Sequence, residues 1–435
     1  MISLIKYINN KVLIKIASLK SAAVFTRIIA GLLTSKAIAV IIGAEGLALI
    51  GNLRSFVASA QTFATIGFYK GVVKYVNDFK DDLEKLSKTL STVYYVGFFT
   101  TIIVALFCYF QAEYINSLIF PTYNNYVYVI KIFAIVLPFY ALNMFTFSIM
   151  NGFSKYKILI IINIIGQILS LCVALLLIYL KKLDGALISV AISESLIFLI
   201  TLVGIINRKS LIPLLNVEHV SFSYFKKLSS YSGMALFSAV VLPLVILSIR
   251  SYIIDTIGYK DAGFWEAMLR ISKYYLMMVS SLLGLYIIPR FSEINDIKEF
   301  KKEVFSLYKK IVPYFAIGLI TIYLLRSFVV WVIFSEEFQP VEDLFMWQLL
   351  GDFVKMLSMI ISYQFLAKKM FWHYIITEAF LVVMLYITSI YFIKLYGVEG
   401  AVMGHFVSHL MYYGVILLIF GSSLFGVDSG DIKDS

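Results

Sequence analysis

Apolar residues run along this chain in stretches of about 20, divided by short polar connections, from near residue 20 to near residue 420. A helix of about 20 apolar residues crosses the hydrocarbon of a bilayer, so each stretch predicts one transmembrane helix. Twelve are predicted, at 20–42, 47–69, 89–111, 127–150, 158–180, 186–207, 229–257, 264–288, 311–334, 342–367, 372–393 and 399–421. The expected fold is therefore an all-α polytopic membrane protein. Composition agrees: of 435 residues, 61% are hydrophobic and 14% charged, with a mean hydropathy of +0.89, whereas a soluble domain carries roughly a quarter charged residues. No connection is long enough to fold as a domain, which argues against an enzyme with an external catalytic domain.

The connections alternate in charge. One set, 1–19, 70–88, 151–157, 208–228, 289–310, 368–371 and 422–435, holds twenty-three of the 37 Lys and Arg residues. The other holds four: Lys181, Lys182, Lys260 and Lys394. Basic loops stay on the cytoplasmic side, so both termini are expected in the cytoplasm of a multi-pass inner-membrane protein. The same alternation explains the net charge of +11 without a nucleic-acid partner, because the basic residues form no continuous soluble patch. The segment Met1–Lys20 is basic and amphipathic and lacks a signal-peptidase-like site. Cys108 and Cys172 lie in apolar segments without a CxxC spacing and are expected to be small core residues.

An internal repeat is offset by about 215 residues. Asp184-Gly185-Ala186 recurs as Glu399-Gly400-Ala401, Gly43 as Gly258, and Lys74-Tyr75 as Arg290-Phe291. Six spans per half give both halves one orientation. The expectation is two six-helix lobes, 1–207 and 229–421, related by a pseudo-two-fold along the membrane normal. A cytoplasmic linker, 208–228, joins them along the headgroup layer, and a polar tail, 422–435, follows.

Ten bases fall inside the spans: Lys20, Arg27, Lys36, Arg54, Lys131, Arg250, Arg270, Lys273, Arg326 and Lys355. The well-embedded acids are Glu194, Glu266, Asp352 and Glu378. A charge at the bilayer centre costs about 2.5–3.5 kcal/mol on insertion scales, so these residues are expected to face a wet interior. Lys20, Lys36 and Lys131 lie near span ends and can snorkel. Glu266, Arg270 and Lys273 share one stripe, as do Gln348, Asp352 and Lys355. Local pairing, Glu266 with Arg270 and Asp352 with Lys355, is the simpler alternative, but ten bases exceed four acids. Much of the positive charge lies in the outer half of the membrane. An anionic ligand such as a pyrophosphate would supply the missing charge, and the guanidinium fork suits phosphate oxygens.

Other constellations are weaker. His405 and His409, at i and i+4, could hold a metal, but no third ligand is evident and polar packing is favoured. No metal or cofactor is expected. Glu378, Asp352 and Glu194 are the candidate sites for a coupling proton or sodium ion. No Walker, GxSxG, HExxH or Gly-rich phosphate loop occurs.

Four stretches carry a resemblance: RIIAGLLTSKAIAVIIGAEGLALIGNLR (Arg27 to Arg54), LLRSFVVW (Leu324 to Trp331), LFMWQLLGDFVKM (Leu344 to Met356) and YIITE (Tyr374 to Glu378). Here the chain resembles the Wzx-type lipid-linked oligosaccharide flippases, the lipid III and O-antigen flippases of the multidrug/oligosaccharidyl-lipid/polysaccharide exporter superfamily. The resemblance implies a twelve-helix, two-lobed transporter with a cationic cavity and alternating access. Its substrate would be an undecaprenyl-pyrophosphate-linked oligosaccharide, and its partners the bilayer and other glycan-assembly membrane proteins. It places Arg27, Lys36, Arg54, Arg250, Arg326, Asp352, Lys355 and Glu378 in functional positions; Arg270 and Lys273 rest on charge alone. The alternatives are a drug/cation antiporter of the same fold, which would want acids facing its cavity, and a membrane polymerase or ligase, which needs a larger periplasmic loop than 112–126.

Overall fold

A computed structural model describes residues 2–205 and 215–425, and among these residues it is helical with no strand. The helices are α1 (Ile2–Ile41), α2 (Ala44–Ala64), α3 (Tyr69–Phe79), α4 (Leu83–Phe110), α5 (Ala112–Ile119), α6 (Val127–Gly152), α7 (Tyr156–Ile205), α8 (Phe222–Thr256), α9 (Tyr259–Glu293), α10 (Ile297–Leu324), α11 (Arg326–Ile333), α12 (Val341–Ala367), α13 (Phe371–Tyr396) and α14 (Glu399–Phe425). Among the described residues each of the twelve apolar stretches is mostly helical, the second running past α2 into the turn at 65–68 and the ninth crossing the break at Leu325. Among the described residues, nine helices are long and apolar enough to cross a membrane, or ten if α9, bent by 42° between Ser281 and Tyr286, counts as one span. The protein is thus a multi-pass helical membrane protein. Two features separate this number from twelve. The 50 residues of α7 would extend about 75 Å as one straight helix, roughly twice a bilayer, but its backbone breaks at Lys182, where φ is 47°. In α2 the apolar stretch is interrupted by Asn52, Arg54 and Gln61.

The repeat is written in the backbone. Before α2, the amides of Ile42 and Gly43 both reach Ile38 O, at 2.8 and 3.1 Å; before α9, those of Ile257 and Gly258 both reach Ile253 O, at 2.9 and 3.0 Å. Gly43 (φ 84°) and Gly258 (φ 141°) occupy the left-handed region that a side chain resists. At the same offset, Ser154 (φ 58°) matches Lys369 (φ 56°), and Lys182 matches Gly397 (φ 62°). The eight-residue helices α5 and α11 correspond as well. Asp82 and Asp296 both cap the helix that follows, accepting from the amides of Lys85 (3.1 Å) and Lys298 (3.3 Å). Lys85, bonding through side chain and amide, holds the Asp82 carboxyl below its ordinary range.

The chain divides into two compact units, Met1–Leu247 and Ser248–Ser435. In the first, α3 lays Val72 and Val76 against Leu86, Leu90 and Val93 of α4 and Ala141, Phe145 and Ile149 of α6. Gly97 lets the Phe145 ring approach, since a Cβ there would sit 2.4 Å from Cζ. Leu228 is buried in this cluster, and Leu215 and Phe225 pack on it. The end of the expected linker is therefore docked on this cluster. Its amides at Asn216 and Ser221 donate to Ser91 and Thr92 of α4, at 3.0 and 3.1 Å, and Ser87 meets His219 at 2.7 Å. Further along α8, Val240 O accepts from Ser59 at 3.0 Å. The division accordingly falls inside α8, beyond the linker, where apolar packing and these hydrogen bonds end. Residues 206–214, the start of the linker, and the tail from 426 on lie outside the described residues, as do the side chains of residues 1–20, Lys20 included. Cys108 is buried as expected, but Cys172 is exposed, on a face of α7 turned away from the interior.

Among the described glycines, two make the closest approaches to backbone. A Cβ on Gly185 would lie 1.9 Å from Leu177 O, and one on Gly400 would lie 2.2 Å from Phe392 O. Both contacts are to backbone that cannot swing aside. Gly185→Ala and Gly400→Ala are each expected to lower the melting temperature in detergent. Gly414→Ala, which meets nothing within 4 Å, is expected to be neutral or to stabilise by up to about 1 kcal/mol through helix propensity.

Candidate functional site: a buried charge network in the second unit

The glycine turn at Gly258 reverses the chain between α8 and α9. Arg250 lies eight residues before it and Glu266 eight residues after, so both stand about 12 Å from the turn on facing helices. The Arg250 guanidinium bonds Glu266 Oε2 at 2.5 Å, and Arg270, one turn along α9, bonds Oε1 at 2.9 Å. All three are buried, with 1%, 6% and 3% exposure for Arg250, Glu266 and Arg270. The Arg250 guanidinium also lies 5.6 Å from the Trp265 ring. One carboxylate thus bridges two guanidinium groups, leaving the triad with one net positive charge.

A second network surrounds Asp352 of α12, which is fully buried. Its Oδ2 accepts from Ser272 at 2.5 Å and from Tyr275 of α9, and from Gln348 one turn back on α12 at 3.2 Å. Its Oδ1 meets His405 Nε2 of α14 at 3.0 Å. Gly351 makes that approach possible, because a Cβ there would lie 2.4 Å from the His405 ring. His409 donates from Nδ1 to His405 O at 2.9 Å, and the two rings lie 4.2 Å apart. The histidine pair thus stands against the Asp352 carboxylate; among the described residues no group of three or more His, Cys, Asp or Glu could hold a metal.

The other candidates are scattered. Arg27 is exposed, and Lys36 and Arg54 are half-buried in the first unit. In the second unit Lys273 is exposed and Lys355 half-buried. Arg326 donates to Tyr323 O at 3.1 Å and lies over the Tyr323 ring. Lys131 lies over Tyr109. Glu194 is exposed, whereas Glu378 is half-buried and accepts from Tyr412 at 3.5 Å. Asp352 takes His405, Ser272, Tyr275 and Gln348 as its hydrogen-bond partners, and not Lys355, which the i, i+3 spacing had suggested. The Glu266–Arg270 pair forms as the spacing allowed. The Arg250–Glu266 bond was missed, although the equal distance of both residues from Gly258 pointed to it.

The two units share their frame but not this chemistry. Where the second unit has Arg250, Glu266 and Arg270, the 215-residue offset places Ser35, Gly51 and Ser55, all buried; where it has His405, the first has Val190.

A repeated set of membrane helices with charge buried in its spans is the architecture of a transporter. Solved structures agree on the fold. An inward-facing multidrug resistance MATE family transporter of the MOP superfamily superposes with a TM-score of 0.70 at 15% identity, covering 92% of this chain and 96% of its own. The lipid II flippase MurJ in an inward closed conformation gives 0.69 at 17% identity, covering 97% and 94%. Residues 37–343 match the polysaccharide biosynthesis protein family, and the chain belongs to it. It is also similar to the lipid III flippase of Escherichia coli K12, with 26% identity over 411 residues, 92% of this chain and 96% of that one.

Removing one partner from a buried ion network leaves an uncompensated charge and costs about 3–5 kcal/mol. Glu266→Gln is therefore expected to destabilise the protein by that order. Added polyprenyl pyrophosphate is expected to raise its melting temperature more than that of the unaltered protein. An equal rise in both would show that the anion does not reach the two arginines.

Proposed function

We propose that the protein is a flippase that moves an undecaprenyl-pyrophosphate-linked oligosaccharide, of O-antigen or enterobacterial-common-antigen type, from the cytoplasmic to the periplasmic leaflet. The observation that carries this reading is the Arg250–Glu266–Arg270 triad, a net cation buried within a member of the polysaccharide biosynthesis protein family. The similarity to a lipid III flippase supports the substrate class. No covalent bond changes, so the protein acts as a transporter and not as an enzyme. Counting α7 as two spans and α2 and α9 as one each yields twelve, six per half, with both termini in the cytoplasm of a bacterial inner membrane. The lobes are the two sets of six spans, with α8 passing from one compact unit into the next.

The pyrophosphate ligands on this reading are Arg27, Lys36, Arg54, Arg250, Arg270, Lys273, Arg326 and Lys355. Arginine offers paired N–H donors at a fixed charge, which matches phosphate oxygens. A pyrophosphate can take the place of Glu266 between Arg250 and Arg270, exchanging one anionic partner for another without exposing either cation to hydrocarbon. Alternating access then follows from two states, one closed on Glu266 and one closed on substrate. Coupling to a proton or sodium ion would use Glu378, Asp352 or Glu194.

The test is leaflet accessibility. The purified protein is placed in vesicles carrying an undecaprenyl-pyrophosphate-linked oligosaccharide in one leaflet, and exposure of the glycan on the other side is followed with time. Transfer well above that of protein-free vesicles is expected, and Arg54→Ala and Arg250→Ala are expected to abolish it while the protein still inserts. Transfer by both variants at the unaltered rate would refute the assigned ligands; none by the unaltered protein would refute the function.

A further inference from the structure

The second unit contains a file of titratable side chains that the pyrophosphate site does not use. Its inner end is Asp352, wholly buried and facing His405 Nε2 at 3.0 Å. His405 lies against His409, ring to ring at 4.2 Å. Tyr412 comes next: His405, His409 and Tyr412 stand at i, i+4 and i+7, one stripe of α14, and all three are buried. The Tyr412 hydroxyl donates to Glu378 Oε1 of α13 at 3.5 Å. Glu378 is seven residues from the start of α13, about 10 Å from that helix end. In the orientation proposed above, this end faces the cytoplasm.

Packing alone does not call for these groups. The first unit builds the same helices with Val190 where the second has His405, Ile197 where it has Tyr412, and Asn163 where it has Glu378. Only the His409 position keeps an ionisable group there, Glu194, and that residue is exposed. Interhelical hydrogen bonds between neutral groups would hold the helices at far smaller cost than a buried carboxylate and two imidazoles.

We propose that Glu378, Tyr412, His409 and His405 form a proton relay that ends on Asp352, and that proton occupancy there controls the hold of α12 on α9. The inference rests on the flippase reading. In the last step the proton leaves His405 Nε2 and binds Asp352 Oδ1; the imidazole becomes neutral and the carboxylate becomes a carboxylic acid. His409 already donates Nδ1 to a backbone carbonyl, which leaves its Nε2 to take up the next proton. A charged Asp352 holds the hydroxyls of Ser272 and Tyr275 on α9 by charge-assisted hydrogen bonds, and a neutral one holds them less strongly. Because α9 also carries Glu266 and Arg270, arrival of a proton loosens the helix that bears the anion site. The other ionisable groups on elements packed around Asp352 include Glu266, Arg270, Lys273, Tyr274 and Tyr275 of α9, Lys355 and Tyr363 of α12, Tyr308 of α10, Tyr374 of α13 and Tyr413 of α14. Lys355 stands one turn from Asp352 on the same helix.

The experiment reads two signals from the same vesicles. The full chain is reconstituted with a pH-sensitive dye inside and undecaprenyl-pyrophosphate-linked N-acetylglucosamine as the probe, and leaflet exposure of the sugar and lumenal pH are recorded together. The unaltered protein is expected to move protons as it moves the lipid, and to run faster under an imposed pH gradient. His405→Gln and Glu378→Gln are expected to lose both the proton movement and the acceleration by the gradient. Their melting temperatures report whether they fold, and if His405→Gln does not, the half-buried Glu378→Gln carries the test. Lipid transfer by the unaltered protein without proton movement would overturn the relay and leave the flippase reading standing, as would proton movement unchanged in the folded variants. No lipid transfer by the unaltered protein would overturn the flippase reading and this inference with it.

Discussion

Hydrocarbon does not solvate charge, and this constraint organises the rest of the structure. Backbone polar groups are satisfied inside each segment, so the apolar stretches among the described residues are largely helical. A guanidinium buried to 1% exposure, as at Arg250, must find an anion, and it finds Glu266 across the Gly258 turn. A carboxylate with no exposure, as at Asp352, must find donors, and it draws them from α9, α12 and α14. The charges thereby fix which helices of the second unit meet, and the glycines at 351, 400 and 404 set how closely they do so.

The two halves repeat in backbone and differ in chemistry. The turns at 43 and 258, the breaks at 182 and 397, and the short helices α5 and α11 recur at one offset. These positions answer to chain geometry, which every copy of the unit must satisfy. The buried charges of Arg250, Glu266, Arg270 and Asp352 are not repeated at the offset positions of the first unit, Ser35, Gly51, Ser55 and Leu137. At the matching positions of the first unit Ser35, Gly51 and Ser55 are buried without a charge of their own, so the triad is an addition to the shared frame.

Spans were legible in the sequence because apolar length is a local property, and the repeat was legible because Gly43, Gly258, Gly185 and Gly400 stand where no other residue fits. The breaks were less so. The left-handed residues Ser154 and Lys182 fall inside the expected connections 151–157 and 181–185, but nothing in the composition marks which residue takes that conformation. Pairing was legible within a helix, as for Glu266 and Arg270, and failed across helices. The partner of Asp352 lies 53 residues away on α14, and the nearby Lys355 was the natural local choice. The docking of 215–228 on α4 was hidden for the same reason, since serine and threonine hydroxyls at 87, 91 and 92 announce no distant partner.

A net cation held in the span by a displaceable carboxylate is the central claim, and it makes headgroup charge the discriminating property of the ligand. Equilibrium binding of undecaprenyl pyrophosphate and of undecaprenol, which has the same tail and no phosphate, measures it directly in the purified protein. The account predicts that the pyrophosphate binds, that undecaprenol does not compete with it, and that Arg250→Ala removes the difference between them. Equal binding of the two lipids, or discrimination that survives Arg250→Ala and Arg270→Ala together, would contradict it.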